Sequence, residues 1–406
     1  MSATELGSDL VPGSAAGVSA AAVGLGFAAA GVVLAAGAAV ARRATLSRRL
    51  LDPIDALETG VPHPFDDLPA RQVWVTSETG NRLYVEIDEP AGGDRGPTVV
   101  FSHGFCLSSK SWVLQRRALV AAGVRCVAWD QRGHGRSDQA PEGTYSLEHC
   151  GRDLGAVIEG TAPSGDLVLA GHSMGAMTMM ALAEANPALI RDRVIGAAFV
   201  ATSAGGVGLH GRGMPRRLSA AAVRLAPLVL ANLAGQNRVW QRVRTAARDV
   251  ESAVIERFSF DSEVSEETVR FAADMLTGTD LAVVGAFVQT LDAHSRIATL
   301  AAFDRADVLV LNGEADRLTP PEHSAMLVAA LPHSEHVVIR DAGHLVMLER
   351  PTVVSAQFLA LIERAVAARA LSGTATHGRL RRMVTDVARR RRVAAVAQKA
   401  QKAPAR

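Results

Sequence analysis

Cysteine is scarce. The 406 residues hold three, Cys106, Cys126 and Cys150, an odd number without metal-ligand spacing, so no disulfide framework is expected and a reducing compartment fits. His103 and His172 lack a carboxylate or cysteine at ligand spacing, so no metal is expected, and no motif calls for an organic cofactor. An excess of one charge is lacking too. Lys and Arg number 43 against 41 Asp and Glu, a net +2 that gives no global case for nucleic acid. No internal repeat is present, and nothing in the sequence sets an oligomeric state.

Charge is absent altogether from Val11 to Ala41. Val18 to Val40 is an Ala/Gly/Val/Leu run long enough to cross a hydrocarbon core of about 30 Å as a helix. The residues before it include Glu5 and Asp9 but no Lys or Arg, so the basic start of a secretory signal is missing. Arg42, Arg43, Arg48 and Arg49 follow, which predicts an uncleaved anchor with the rest of the chain in the cytoplasm. A cleaved signal ending near Ala36-Gly37-Ala38, hence export, and a low-complexity leader remain open.

What is present in quantity is apolar residue, 48% of the chain, enough for a large core. The length allows two or three domains or one enlarged α/β domain of about 300 residues. Residues 1–49 form the hydrophobic segment and 50–70, with four prolines, a linker. From 71 to 203 short apolar runs alternate with helical patterns: a hairpin around Thr79-Gly80-Asn81, then Thr98–Ser102, Arg125–Trp129, Leu167–Ala170 and Val194–Ala201 as strands. Such alternation implies a mostly parallel sheet flanked by helices, an α/β fold.

The rhythm breaks between 204 and 303, where helical patterns (Leu218–Leu233, Val239–Phe258, Glu266–Leu276, Leu281–Ile297) occur without a convincing strand. An inserted helical cap over the sheet's C-terminal edge is expected. Residues 304–371 resume the core with strands at Val308–Asn312 and His336–Ile339 and a last helix from Pro351. Residues 372–406 are a basic tail, either solvated or lying on an anionic bilayer with Leu380, Met383, Val384 and Val387 as a helical apolar stripe.

The chemistry centres on Gly171-His172-Ser173-Met174-Gly175, a sharp turn between a buried strand and an Ala/Met/Leu-rich helix that displays Ser173 at the helix N-terminus. A serine hydroxyl needs a base, and the base needs orienting. His344, just after the last strand, and Asp316, in the loop after the strand before it, supply these in the chain order Ser, Asp, His. An oxyanion formed by attack on a carbonyl needs donors, for which the amides of Met174 and Phe105 are placed. Gly104 would let the backbone approach a substrate, with Cys106 flanking the pocket as an inert neighbour or, less favoured, a thiol.

Four motifs, His103-Gly104-Phe105, Asp130 to Ser137 (Asp-Gln-Arg-Gly-His-Gly-Arg-Ser), Gly171 to Gly175, and Gly343-His344, make the stretch from Gln72 to Ala368 resemble the α/β-hydrolase family. The resemblance implies that the His-Gly pair builds the oxyanion loop, and that Asp130, Arg132 and His134 are scaffold. Dehalogenases and epoxide hydrolases of the family carry an aspartate at the elbow and the latter use cap tyrosines. This chain has Ser173, and its two tyrosines, Tyr84 and Tyr145, lie outside the expected cap. A serine esterase acting on small-molecule or lipid-derived esters is the expectation. An acyltransferase, a perhydrolase, a carbon–carbon bond hydrolase, or a silent ligand receptor stay open. If the anchor has the orientation its arginines imply, a tag after Arg406 will be protected from protease added outside intact cells, and accessibility would overturn the cytoplasmic assignment.

Overall fold

The strands read as unbroken apolar runs because both faces of the sheet are covered. Alternate residues go to opposite sides. Phe101, Ala170, Ala198 and Leu311 join one buried cluster while Val100, Leu169, Ala197 and Val310 join the other. A computed structural model describes residues 64–68, 70–93, 96–205, 255–371 and 382–385.

The first half contains β1 (Arg71–Thr76), β2 (Arg82–Asp88), β3 (Thr98–Ser102), α1 (Val113–Ala121), β4 (Cys126–Trp129), α2 (Leu147–Thr161), β5 (Leu167–His172), α3 (Met174–Ala185), α4 (Pro187–Arg193) and β6 (Val194–Val200). The second contains α5 (Glu266–Gly278), α6 (Leu281–Asp292), β7 (Asp307–Gly313), α7 (Pro321–Ala330), β8 (Glu335–Ile339), α8 (Val346–Glu349), α9 (Pro351–Ala370) and β9 (Arg382–Thr385). The strands form one sheet in the order β1-β2-β4-β3-β5-β6-β7-β8-β9. Only the β1–β2 and β2–β4 pairings are antiparallel.

Helices α1 and α9 cover one face and α2, α3 and α7 the other. Helix starts follow the sequence: the Ser146 hydroxyl accepts the His149 amide at α2, and Asp280 accepts the Ala282 amide (2.7 Å) at α6. By length and composition α9 could cross a membrane, yet Val354, Phe358, Leu361 and Ile362 are buried in the core, so its apolar side is already used.

The strand order places the site. From β3 the chain goes to β4 on one side and then to β5 on the other, so the loops after β3 and β5 diverge and leave a crevice at the strands' C-terminal ends. His103-Gly104-Phe105 follows β3 and Ser173 follows β5.

Two expectations need correction. The helix expected over Leu281–Ile297 stops at Asp292, because the chain returns to the sheet: Ser295 bridges Gly205, and Arg296 N donates to Ala204 O (2.6 Å). Within the tail, Arg382–Thr385 is a strand parallel to β8 rather than part of a helical stripe, since the open edge of β8 offers backbone partners that an isolated turn lacks. The run Val18–Val40, the helices expected over Leu218–Leu233 and most of Val239–Phe258, and the remainder of the tail lie outside the described residues.

Arg132 and Asp153 form a fully buried bidentate pair, Nε–Oδ2 and Nη2–Oδ1 both 2.7 Å, which fastens the loop after β4 to α2. Removing one partner leaves an uncompensated charge. Arg132→Met should cost about 3–5 kcal/mol in urea unfolding, and adding Asp153→Leu should recover most of it. A single variant as stable as wild type would show that the pair does not hold this loop.

Candidate active site

Ser173 sits between β5 and α3 at φ 50°, ψ −116°, a conformation that L residues rarely adopt. The surroundings over-determine it. Ser173 N donates to Val200 O (2.9 Å), and its carbonyl accepts the Thr202 hydroxyl (2.8 Å) and the Ala176 amide (3.0 Å). Glycine is required on both sides by close approach: a Cβ on Gly171 would lie 2.5 Å from Ala176 Cα, and one on Gly175 2.1 Å from the Ser102 carbonyl oxygen. Ser173 is half-buried, and the Met174 amide opens the first turn of α3, where N–H groups have no acceptor within the helix.

The loops after β7 and β8 bring Asp316 and His344 together. His344 Nδ1 lies 2.8 Å from Asp316 Oδ2, with both side chains buried. The carboxylate also accepts the amides of Leu318 (2.8 Å) and Thr319 (2.9 Å) and the Thr319 hydroxyl (2.8 Å). Burial pushes the Asp316 carboxyl upward, but the His344 imidazole and the Thr319 groups outweigh it and hold it below the ordinary carboxylate range. A carboxylate on Nδ1 puts that ring proton there and leaves Nε2 as a lone pair, the tautomer a general base needs. The Ser173 hydroxyl is not hydrogen-bonded to His344 in this structure; such contacts tighten when substrate is bound.

The loop after β3, which carries Gly104 and Phe105, is pinned from behind. Gln131 N donates to His103 Nε2 (2.9 Å), its side-chain amide to the His103 carbonyl (2.6 Å), and His103 Nδ1 donates to Gly104 O (2.7 Å). The Gln131 Oε1 accepts the Thr178 hydroxyl (2.6 Å), which ties the loop to α3. Phe105 is half-buried, its ring 5.9 Å from that of His134 and 6.1 Å from that of Phe287 on α6. Together with Met174, Met177, Val283 and Leu291 these rings make an apolar cluster beside the elbow.

A Cβ on Gly104 would meet His172 Nδ1 at 2.4 Å, so the glycine admits a histidine from the elbow. Cys106 is buried at φ 59°, and burial pushes its thiol well above the ordinary value, which leaves no thiolate for chemistry. Asp130 accepts the amides of Ser109 (2.6 Å) and Arg136 (2.8 Å), as scaffold does. Gln131, Thr202, Thr319 and Glu349 were not singled out from the sequence. Glu349 receives the Gly343 amide (2.7 Å) on one oxygen and the Asp261 and Ser262 amides on the other, which fixes the turn carrying His344. Thr319, three residues after an Asp in a loop, is the one with a local signal, the Asx-type turn.

Residues 94–351 match the family described as serine aminopeptidase, S33. Among curated proteins the chain is similar to the bifunctional esterase/perhydrolase of Acinetobacter calcoaceticus, 39% identical over 102 residues, 25% of this chain and 35% of that protein. It is also similar to epoxide hydrolase B of Mycobacterium tuberculosis, 33% identical over 174 residues, 42% of this chain and 45% of that one. The chain therefore spans less than half the length of these curated relatives. In fold it is similar to a thermophilic esterase from Thermogutta terrifontis, with TM-score 0.56, 24% identity, and coverage of 73% of this chain and 99% of that one.

The buried histidines give the site a pH signature. Burial holds His103 down to about 4; burial, then the neighbouring His103, holds His134 to about 3; burial, then the nearby His344, holds His172 to about 3. Their ordinary value is 6.5. The unfolded chain takes up these protons first, so the stability from keeping them neutral is complete above pH 6.5 and is lost as pH falls toward 4. The thermal midpoint should be flat above about pH 7 and fall steeply below about pH 6; a midpoint unchanged down to pH 4 would contradict the neutral assignment.

Proposed function

The chain belongs to the serine aminopeptidase S33 family of α/β hydrolases, and from that premise we propose that it hydrolyses carboxylic esters through a Ser173 acyl-enzyme. The observation that carries this reading is the conjunction of a serine in strained elbow geometry with a buried Asp316–His344 pair across the same crevice. A fold similarity alone would leave the chemistry open. A serine at the elbow favours acyl transfer over the ring-opening suggested by similarity to an epoxide hydrolase.

His344 Nε2 takes the hydroxyl proton as Ser173 Oγ attacks the carbonyl carbon, while Asp316 stabilises the imidazolium. The amides of Phe105 and Met174 hold the oxyanion. The imidazolium then protonates the leaving alcohol, and the acyl group stays on Ser173. Water, deprotonated by His344, releases the acid and restores the serine.

The cluster of Phe105, Met174, Met177, Val283, Phe287 and Leu291 supports an apolar acyl group, and with it lipid-derived esters as substrates. The helices between β6 and β7 act as a cap in this reading. Val18–Val40 and the basic tail attach the enzyme to the cytoplasmic side of a membrane, which agrees with such substrates. Similarity to an esterase/perhydrolase supports one second reading, in which hydrogen peroxide replaces water as the acceptor and a peracid leaves.

Turnover of p-nitrophenyl esters of graded chain length tests the proposal, with a maximum expected at apolar acyl chains. Ser173→Ala should lower the rate by at least about four orders of magnitude and Asp316→Asn by about 10³–10⁴-fold, each with the thermal midpoint retained. An active Ser173→Ala enzyme would remove the serine from its role. Peracid formation on adding peroxide separates the second reading from simple hydrolysis.

A further inference from the structure

His172 immediately precedes the elbow serine and is 1% exposed. Its Nε2 lies 3.0 Å from the carbonyl oxygen of His344. A carbonyl can only accept, so Nε2 carries the proton and Nδ1 is a lone pair. That Nδ1 is buried without a partner and packs on the Cα of Gly104, where a Cβ would come within 2.4 Å. The two imidazoles stand 4.7 Å apart between ring centroids, and Trp112 closes the cage edge-on at 6.4 Å. Trp112 is itself anchored by Nε1 donating to the Ser102 carbonyl (3.2 Å).

One side chain thus touches the oxyanion loop through Gly104, carries the nucleophile as its neighbour in the chain, and holds the backbone of the base. Leaving Nδ1 unpaired in the interior is unfavourable, and an apolar ring of the same shape would avoid it. What the histidine offers in return is the Nε2–H. We infer that His172 is a positioning residue that sets the reach of His344 toward Ser173 by donating a hydrogen bond to the His344 carbonyl. The inference rests on the triad reading above. The turn carrying His344 is then held from both sides, by His172 at residue 344 and by Glu349 at residue 343.

Glutamine places its amide nitrogen near the position of an imidazole Nε2, asparagine falls short of it, and phenylalanine keeps the ring without a donor. The experiment compares His172→Phe, His172→Asn and His172→Gln for the rate of Ser173 labelling by a fluorophosphonate, and for kcat and KM on a p-nitrophenyl ester. His172→Phe and His172→Asn should label and turn over roughly 10–100-fold more slowly with KM close to wild type, since a misplacement of about 1 Å can cost 10²-fold. His172→Gln should recover most of the rate. Thermal midpoints confirm that the compared variants are folded; if the phenylalanine variant is not, the contrast between glutamine and asparagine decides alone. Wild-type rates in His172→Phe or His172→Asn, or a His172→Gln enzyme as slow as His172→Asn, would overturn the inference. Failure of the triad reading looks different: mass spectrometry would then find no label on Ser173 of the wild-type chain.

Discussion

The contact on which the site depends is between backbone and backbone. The Cα of Gly175, the second residue of α3, lies so near the Ser102 carbonyl at the end of β3 that a methyl group would overlap it at 2.1 Å. No side chain can act as a spacer between the elbow and the oxyanion loop, so their separation is set by van der Waals contact between main chains. The amides of Phe105 and Met174, one on each side of that contact, inherit the separation. Strain at Ser173 costs on the order of 1–3 kcal/mol and is tolerated because Val200, Thr202 and the first turn of α3 hold the residue from three directions.

Around this contact, environment decides what each histidine does. His103, His134 and His172 are enclosed by backbone, rings and amides with no carboxylate hydrogen-bonded to them, and burial keeps them neutral. His344 alone among the four meets an ionised carboxylate, itself held by two amides and a hydroxyl. A neutral histidine makes a good structural donor or acceptor, whereas a base must tolerate becoming charged, and that requires the Asp316 partner. The charge is confined to one place. Two further groups of strongly buried charge, Arg132–Asp153 and Arg116–Glu86–Asp88, compensate themselves and belong to the scaffold.

This division was only partly legible in the sequence. The strands could be read because apolar runs such as Thr98–Ser102 face helices on both sides, and Ser173, Asp316 and His344 because each follows a strand of the same sheet. The supporting shell could not. Gln131 reaches His103, 28 positions away, and Thr178, 47 positions away, and a glutamine in a glycine-rich turn looks like any solvated residue. His172 stands within the elbow motif, but its partner, the His344 carbonyl, is 172 positions distant. The tail shows the limit of periodicity: Leu380, Met383, Val384 and Val387 fit a helical stripe, yet the vacant edge of β8 pairs with Arg382–Thr385 as a strand. Local pattern gave way to available backbone partners.

The segment between β6 and β7 is tied down where it leaves and re-enters the sheet. Gly205 bridges Ser295, the His294 imidazole bonds the Ser203 carbonyl (3.0 Å), and Arg296 pairs with Glu148 on α2 and Glu184 on α3. From this base α6 lays Val283, Phe287 and Leu291 on Met174 and Met177, the first turn of the elbow helix. The residues that begin α3 therefore serve two purposes: the Met177 amide closes on the Ser173 carbonyl (3.2 Å), and the side chains of Met174 and Met177 join the apolar cluster. Changes on α6 can then alter the shape beside Ser173 without touching Asp316, His344 or the backbone contact at Gly175. The backbone frame at the elbow and the apolar wall beside it are thus set by separate residues.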